Sequence, residues 1–143
     1  MPGHLVRRAH QISSALFAEE CGPLDLTAVQ YAALAAISAN ADLDATRLSE
    51  QIAFDRSTIG GVLERLETKG WIARRASPDD RRVKLLELTQ AGRDTLKDAA
   101  SAVMRVQKRL LEPLSPQDRA TMMRLLVEMT AAHVAPDSSG RSD

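Results

Sequence analysis

A chain of 143 residues is long enough for one domain, or for two small layers sharing a core, and its 19 basic and 19 acidic residues cancel, so global charge gives no argument for a nucleic-acid partner. Aromatics at 3% leave Leu, Val, Ile, Ala and Met to fill the core, and the single cysteine, Cys21, excludes an intramolecular disulfide and fits a reducing compartment. No run reaches the roughly 18 apolar residues of a membrane span, and MPGHLVRRAHQ lacks a signal-peptide core, so a soluble cytoplasmic chain with no membrane partner is expected.

Residues 3–20 predict a first helix. Leu5, Ala9, Ile12 and Leu16 form one stripe, and His10, Ser14, Phe17 and Cys21 form a second beside it. Gly22-Pro23 ends this helix, Gly permitting an abrupt turn. Thr27 with Gln30 three residues on makes a capping box for a second helix, whose apolar face is Val29, Ala33, Leu34 and Ile37. Ser38–Leu43 is small and polar and predicts a loop. Asp44 caps a short third helix, Ala45–Ile52, buried through Leu48 and Ile52.

AFDRSTIGGVLERLETKGW, from Ala53 to Trp71, predicts a fourth helix with Asp55 as N-cap and Gly70 at the stop. Ile59, Val62, Leu63 and Leu66 anchor one face. Arg56, Ser57, Thr58, Gly60, Gly61, Arg65 and Lys69 occupy the other. A short helix, a tight turn and a longer helix with a polar outer face is the helix-turn-helix arrangement, and the outer face suits a major groove. Trp71–Ala76 and Val83–Leu88 predict two strands around the turn Ser77-Pro78-Asp79-Asp80, a hairpin placed where a wing would be.

Thr89 caps a fifth helix running from Gln90 to about Glu112, with Leu96, Ala99, Val103, Val106 and Leu110 on a seam of period near 3.5. Ser115-Pro116 starts a sixth helix with Met122, Leu125, Leu126, Met129 and Val134 on its apolar side. The fold class expected is mainly α with a small β-hairpin: a winged helix-turn-helix domain over 26–88, a helical dimerisation region from 1–25 and 89–135, and a disordered tail, 136–143.

The local charge differs from the global one. From Arg56 to Lys84 there are eight Lys/Arg and four acids, a net of +4. Ser57 and Thr58 lie in the first turn of the fourth helix, where hydroxyls and free N–H groups suit phosphates and base edges. Arg65, two turns on, reaches toward a guanine edge or a phosphate. Gly60-Gly61 is unexpected, because each Gly inside a helix is about 1 kcal/mol worse than Ala. Close approach to the DNA groove, or to a neighbouring helix, would compensate. For Arg56, Lys69, Arg74 and Arg75, plain solvation competes with DNA contact, and Arg47 is open in the same way.

The segments LTAVQYAAL (26–34), LSEQIAFDRSTIGGVLERLETKGWIAR (48–74) and DDRRVKLLELTQAG (79–92) resemble the MarR family of winged-helix transcription regulators in order and spacing, over about two-thirds of the chain. The resemblance implies a homodimer that binds double-stranded DNA at a palindromic operator, with recognition helices about 34 Å apart. It implies that Arg82 enters the minor groove at the wing tip, held by Asp80, with Arg81 and Arg74 on phosphates. It also implies a small-molecule pocket among the first, second and fifth helices for an aromatic carboxylate or phenol, whose binding releases DNA. Arg7, Arg8 and His10 are candidates to neutralise a carboxylate, Ser14 and Tyr31 to bond a hydroxyl, and Phe17 to pack a ring, each against a solvated or packing alternative.

Two alternatives stand beside this function. One is thiol-based redox sensing through Cys21. The hydroperoxide-sensing branch of the family keeps its reactive cysteine near the start of the first helix, with tyrosines nearby, whereas Cys21 ends that helix and Tyr31 is the only tyrosine. The other is a winged-helix interaction module without operator specificity. Neither HExxH, CxxC, GxSxG nor a phosphate loop is present, so no enzyme and no cofactor are expected.

Overall fold

In the computed structural model the described residues are 1–52 and 56–133, without the side chains of Arg56 and Ser57. The expected N-cap Asp55, the apolar Val134 and the tail 136–143 lie outside the described residues. The elements are α1 (Pro2–Cys21), a 3-10 turn (Gly22–Leu24), α2 (Ala28–Ala39), α3 (Ala45–Gln51), α4 (Arg56–Thr68), β1 (Ile72–Ala76), β2 (Lys84–Leu88), α5 (Gln90–Leu111) and α6 (Pro116–Ala132).

Side-chain caps start four of these helices. The Thr27 hydroxyl accepts from the Gln30 amide while the Gln30 side chain accepts from the Thr27 amide, a complete capping box. Asp44, Thr89 and Ser115 accept from the amides of Arg47, Gly92 and Asp118. Gly70 adopts φ +78° after α4, as a C′ glycine should. Gly22 does not use its freedom: its φ is −53°, and the left-handed residue of the α1–α2 turn is Asp25, at φ 53°.

One core cluster joins α2, α3, α4, the hairpin and α5 through Leu34, Leu48, Ile59, Leu63, Leu66, Ile72, Leu86 and Ala99, all buried. Full burial of each large aliphatic side chain contributes about 1.5–3 kcal/mol. A second cluster, Phe17, Cys21, Ala102 and Val106, packs α1 on α5. The Phe17 and Tyr31 rings, 6.2 Å apart, link the two. Arg105 and Arg109 of α5 clamp Glu20 of α1 at 2.7 and 3.2 Å.

β1 and β2 pair antiparallel from Ile72↔Leu88 to Ala76↔Lys84. The expected loop before α3 is more structured than its polarity suggests. α2 continues to Ala39, Leu43 is buried, and its carbonyl accepts from the Leu86 amide at 2.8 Å, adding an isolated bridge to the hairpin. At the other end, Arg119 donates to the carbonyls of Leu111, Glu112 and Leu114, satisfying the C-terminus of α5.

Much of the apolar surface of α1 and α6 is uncovered in a single chain. Leu5, Val6 and Ile12, together with Met122, Met123, Leu125, Leu126, Val127 and Met129, are all exposed. Only Phe17 and Cys21 of α1 are buried.

Candidate nucleic-acid interface

The burial pattern of α4 separates an anchoring face from an open one. Ile59, Val62, Leu63 and Leu66 are buried, while Thr58, Gly60, Gly61 and Arg65 are exposed. Thr58, Gly61 and Arg65 follow at i, i+3 and i+7, so they line one side, with Gly60 beside them. A Cβ built at Gly60 or Gly61 meets no described residue within 4 Å. Among the described residues no neighbouring helix packs on this glycine pair, which lies on the open face.

The wing extends from the same unit. Its turn is closed by the Ser77 amide on the Val83 carbonyl at 2.9 Å. Asp80 accepts from the Arg82 main-chain amide at 3.0 Å and from the guanidinium at 3.2 and 3.3 Å. The Arg82 hydrogen bonds hold the Asp80 carboxyl below its usual range. The arginine side chain is nevertheless 91% exposed, so it is oriented without being covered.

Ion pairs sort the remaining cations of the +4 segment. Arg74 pairs with Glu67, and Arg75 bridges Asp42 and Glu87 at 2.8 and 3.3 Å. Lys69 is turned toward Asp25. Among the described residues, Arg65, Arg81 and Lys84 enter no ion pair. Arg47 is exposed on α3 and shares a shallow groove with Pro78, Asp79 and Val83 of the wing.

The structure divides the expected ligand residues. Arg7, Arg8 and His10 are exposed on the outer half of α1. Ser14 and Phe17 line a groove of about 360 Å³ where α1 meets the start of α2. Tyr31 lines a different groove, about 420 Å³, between α2 and α5, with Ser38, Leu96, Arg93 and Lys97. Arg93 is fixed there by the Leu88 carbonyl at 2.9 Å and by Gln90 Oε1 at 3.1 and 3.3 Å. The sequence reading missed Arg93 and Lys97. Their signal was two cations one turn apart, flanking Leu96 in the first turns of the fifth helix.

Cys21 is fully buried. Desolvation, with help from the Glu20 carboxylate, raises its thiol pKa, so burial works against both the access and the thiolate that redox sensing needs.

The MarR family profile matches residues 26–84. Over 125 residues the chain is 30% identical to the multiple antibiotic resistance protein MarR of Escherichia coli K12, covering 87% of each. A mutant of the E. coli protein complexed with operator DNA superposes with a TM-score of 0.83 at 29% identity, over 89% of this chain and 91% of that one. A probable transcriptional regulator from Pseudomonas aeruginosa gives 0.85 at 38% identity, over 89% and 95%. Bordetella bronchiseptica BpsR, whose DNA binding is regulated by 6-hydroxynicotinic acid, gives 0.86 at 30% identity, over 91% and 93%. The chain belongs to the MarR family of winged-helix transcription regulators.

Proposed function

We propose that this protein is a homodimeric repressor that binds a palindromic operator and releases it when a small aromatic acid enters the groove between α2 and α5. The observation that carries the DNA half is the open face of α4, with Gly60, Gly61 and Arg65, beside a wing whose Arg82 is held by Asp80 yet exposed. Thr58 and the first-turn amides then meet phosphates, Arg65 reads a base edge or phosphate in the major groove, and Arg82 enters the minor groove. Arg81 contacts the backbone. Arg74, tied to Glu67, is demoted to a secondary contact.

The uncovered apolar residues of α1 and α6 support the dimer, since rows of apolar side chains left exposed along a helix mark an interface. On this reading 1–25 and 89–135 form the dimerisation region and 26–88 the DNA-binding domain. Two recognition helices then meet half-sites about 34 Å apart.

Arg93 and Lys97 support an anionic ligand, and Tyr31 and Leu96 support a flat, largely apolar one. Because α2 and α5 belong to different regions, a ligand bridging them favours dimers whose helix spacing no longer fits the operator. Selecting duplexes from random DNA on the purified protein tests the first half: a palindrome bound with strong salt dependence is expected, and sequence-blind binding refutes operator recognition. 6-Hydroxynicotinic acid, alongside other aromatic carboxylates, tests the second. A higher Tm with weaker DNA binding, both lost in Lys97→Ala, is expected; no Tm change with any aromatic carboxylate refutes the ligand class.

A further inference from the structure

Lys69 extends the last turn of α4, its amide donating to the Arg65 carbonyl at 3.0 Å. Its side chain turns away from the open face toward the α1–α2 turn. Nζ donates to the Asp25 main-chain carbonyl and to Gln30 Oε1 at 3.3 Å, and it stands 3.2 Å from the Asp25 carboxylate. The ammonium's three donors thus have three oxygen acceptors. It also lies 4.5 Å over the Trp71 ring, a cation–π position.

Each partner belongs to a different part of the fold. Asp25 is the left-handed residue of the α1–α2 turn, its amide donating to the Gly22 carbonyl at 2.9 Å. Gln30 is buried, and the same Oε1 accepts from the Thr27 amide in the capping box of α2. Trp71 leads into β1, and its carbonyl accepts from the Thr89 amide at the start of α5. The end of the reading helix, the turn that ends α1, the cap of α2 and the wing–α5 joint therefore share one ammonium. Exposed ion pairs contribute little by themselves, and the Asp25 carboxylate is 92% exposed; the Lys69 side chain, 24% exposed, is held by the convergence of the Asp25 carbonyl, Gln30 Oε1 and the Trp71 ring.

We infer that Lys69 is a positioning residue, not a phosphate contact: it ties the C-terminal end of the recognition helix to the α1–α2 turn, so that displacement of α1 is passed to α4. The inference rests on the DNA-reading assignment only for its affinity readout. Lys69→Met keeps an unbranched chain over Trp71 and removes the three donors. In the free protein, faster amide exchange is expected in both 64–69 and 22–30, with α6 unchanged. On an in-vitro-selected duplex, affinity should fall several-fold while the slope of log K against log salt stays at the wild-type value. Loss of a phosphate contact would instead reduce that slope by about 1.

Asp25→Gly, which removes the carboxylate, relaxes the positive φ and keeps the carbonyl, should show a smaller exchange increase in 64–69, and it carries the test if Lys69→Met does not fold. A reduced salt slope, or unchanged exchange in 64–69 in the folded variants, overturns the inference. If the wild-type protein selects no duplex, the DNA-reading assignment fails and the exchange measurement decides the coupling alone.

Discussion

Replacing Gly60 and Gly61 by Ala separates folding from DNA reading. Both glycines lie in the interior of α4, and a Cβ at either meets no described residue within 4 Å. The substitution therefore brings no steric penalty. It removes the conformational freedom that the unfolded chain has at glycine, about 1 kcal/mol per site relative to Ala, so the double variant gains about 2 kcal/mol. At about 3 °C per kcal/mol for a chain of this size, Tm rises by about 6 °C. The added methyls stand next to Arg65, where a groove wall would approach the backbone. A tenfold loss of DNA affinity, equivalent to about 1.4 kcal/mol, is the expected companion. Differential scanning calorimetry and fluorescence anisotropy on a selected duplex read the two effects. A lower Tm would mean that the open face is filled after all. A raised Tm with unchanged affinity would remove the glycine pair from the DNA surface.

Gly92→Ala should do the reverse. A Cβ there falls 2.0 Å from the Trp71 carbonyl oxygen and 2.9 Å from its carbon, so backbone must move. Overpacking of about 1–3 kcal/mol, plus loosening of the Thr89 cap at about 1 kcal/mol, lowers Tm by roughly 10 °C in thermal unfolding. The acid limb of stability should contain Glu20. The hydrogen bond from Arg105, and secondarily that from Arg109, holds its carboxyl below the ordinary 4.5. The unfolded chain then binds that proton more readily than the folded one, so the contribution is complete above the ordinary value and is lost as pH falls through the lowered one. Glu20→Gln should lower Tm near neutral pH and flatten its fall below about pH 4.5, measured by circular dichroism.

The caps Thr27 with Gln30, Asp44 and Thr89 were legible because helix geometry sets their spacing to the next three residues, and Ser115-Pro116 marked a helix start through its proline. Gly70 was legible for the same local reason. What escaped depends on partners distant in sequence. Leu43 in a polar loop becomes buried because Leu86 pairs with it, and Lys69, open in the sequence between DNA contact and solvation, is settled by Asp25, which lies 44 residues away. The Gly of the LTQAG segment was visible as part of a motif, but its reason is the Trp71 carbonyl. The first helix showed two stripes of the right period, one apolar and one that mixes His10 and Ser14 with Phe17 and Cys21. Which of those positions are covered depends on tertiary and quaternary contacts, and the single chain covers only Phe17 and Cys21. In the ligand region, Arg7, Arg8 and His10 share a helix with Ser14, yet helical rise carries them past the grooves, while Arg93 and Lys97 come in from α5.

The most direct test of the central claim is DNA affinity across a salt series for the wild type, Arg65→Ala and Arg82→Ala on a selected palindromic duplex. Each substitution should weaken binding by about 1–3 kcal/mol, with Arg65→Ala relaxing base preference within the half-site and Arg82→Ala acting at its flank. Wild-type affinity in both variants would contradict the account and leave an interaction module in its place.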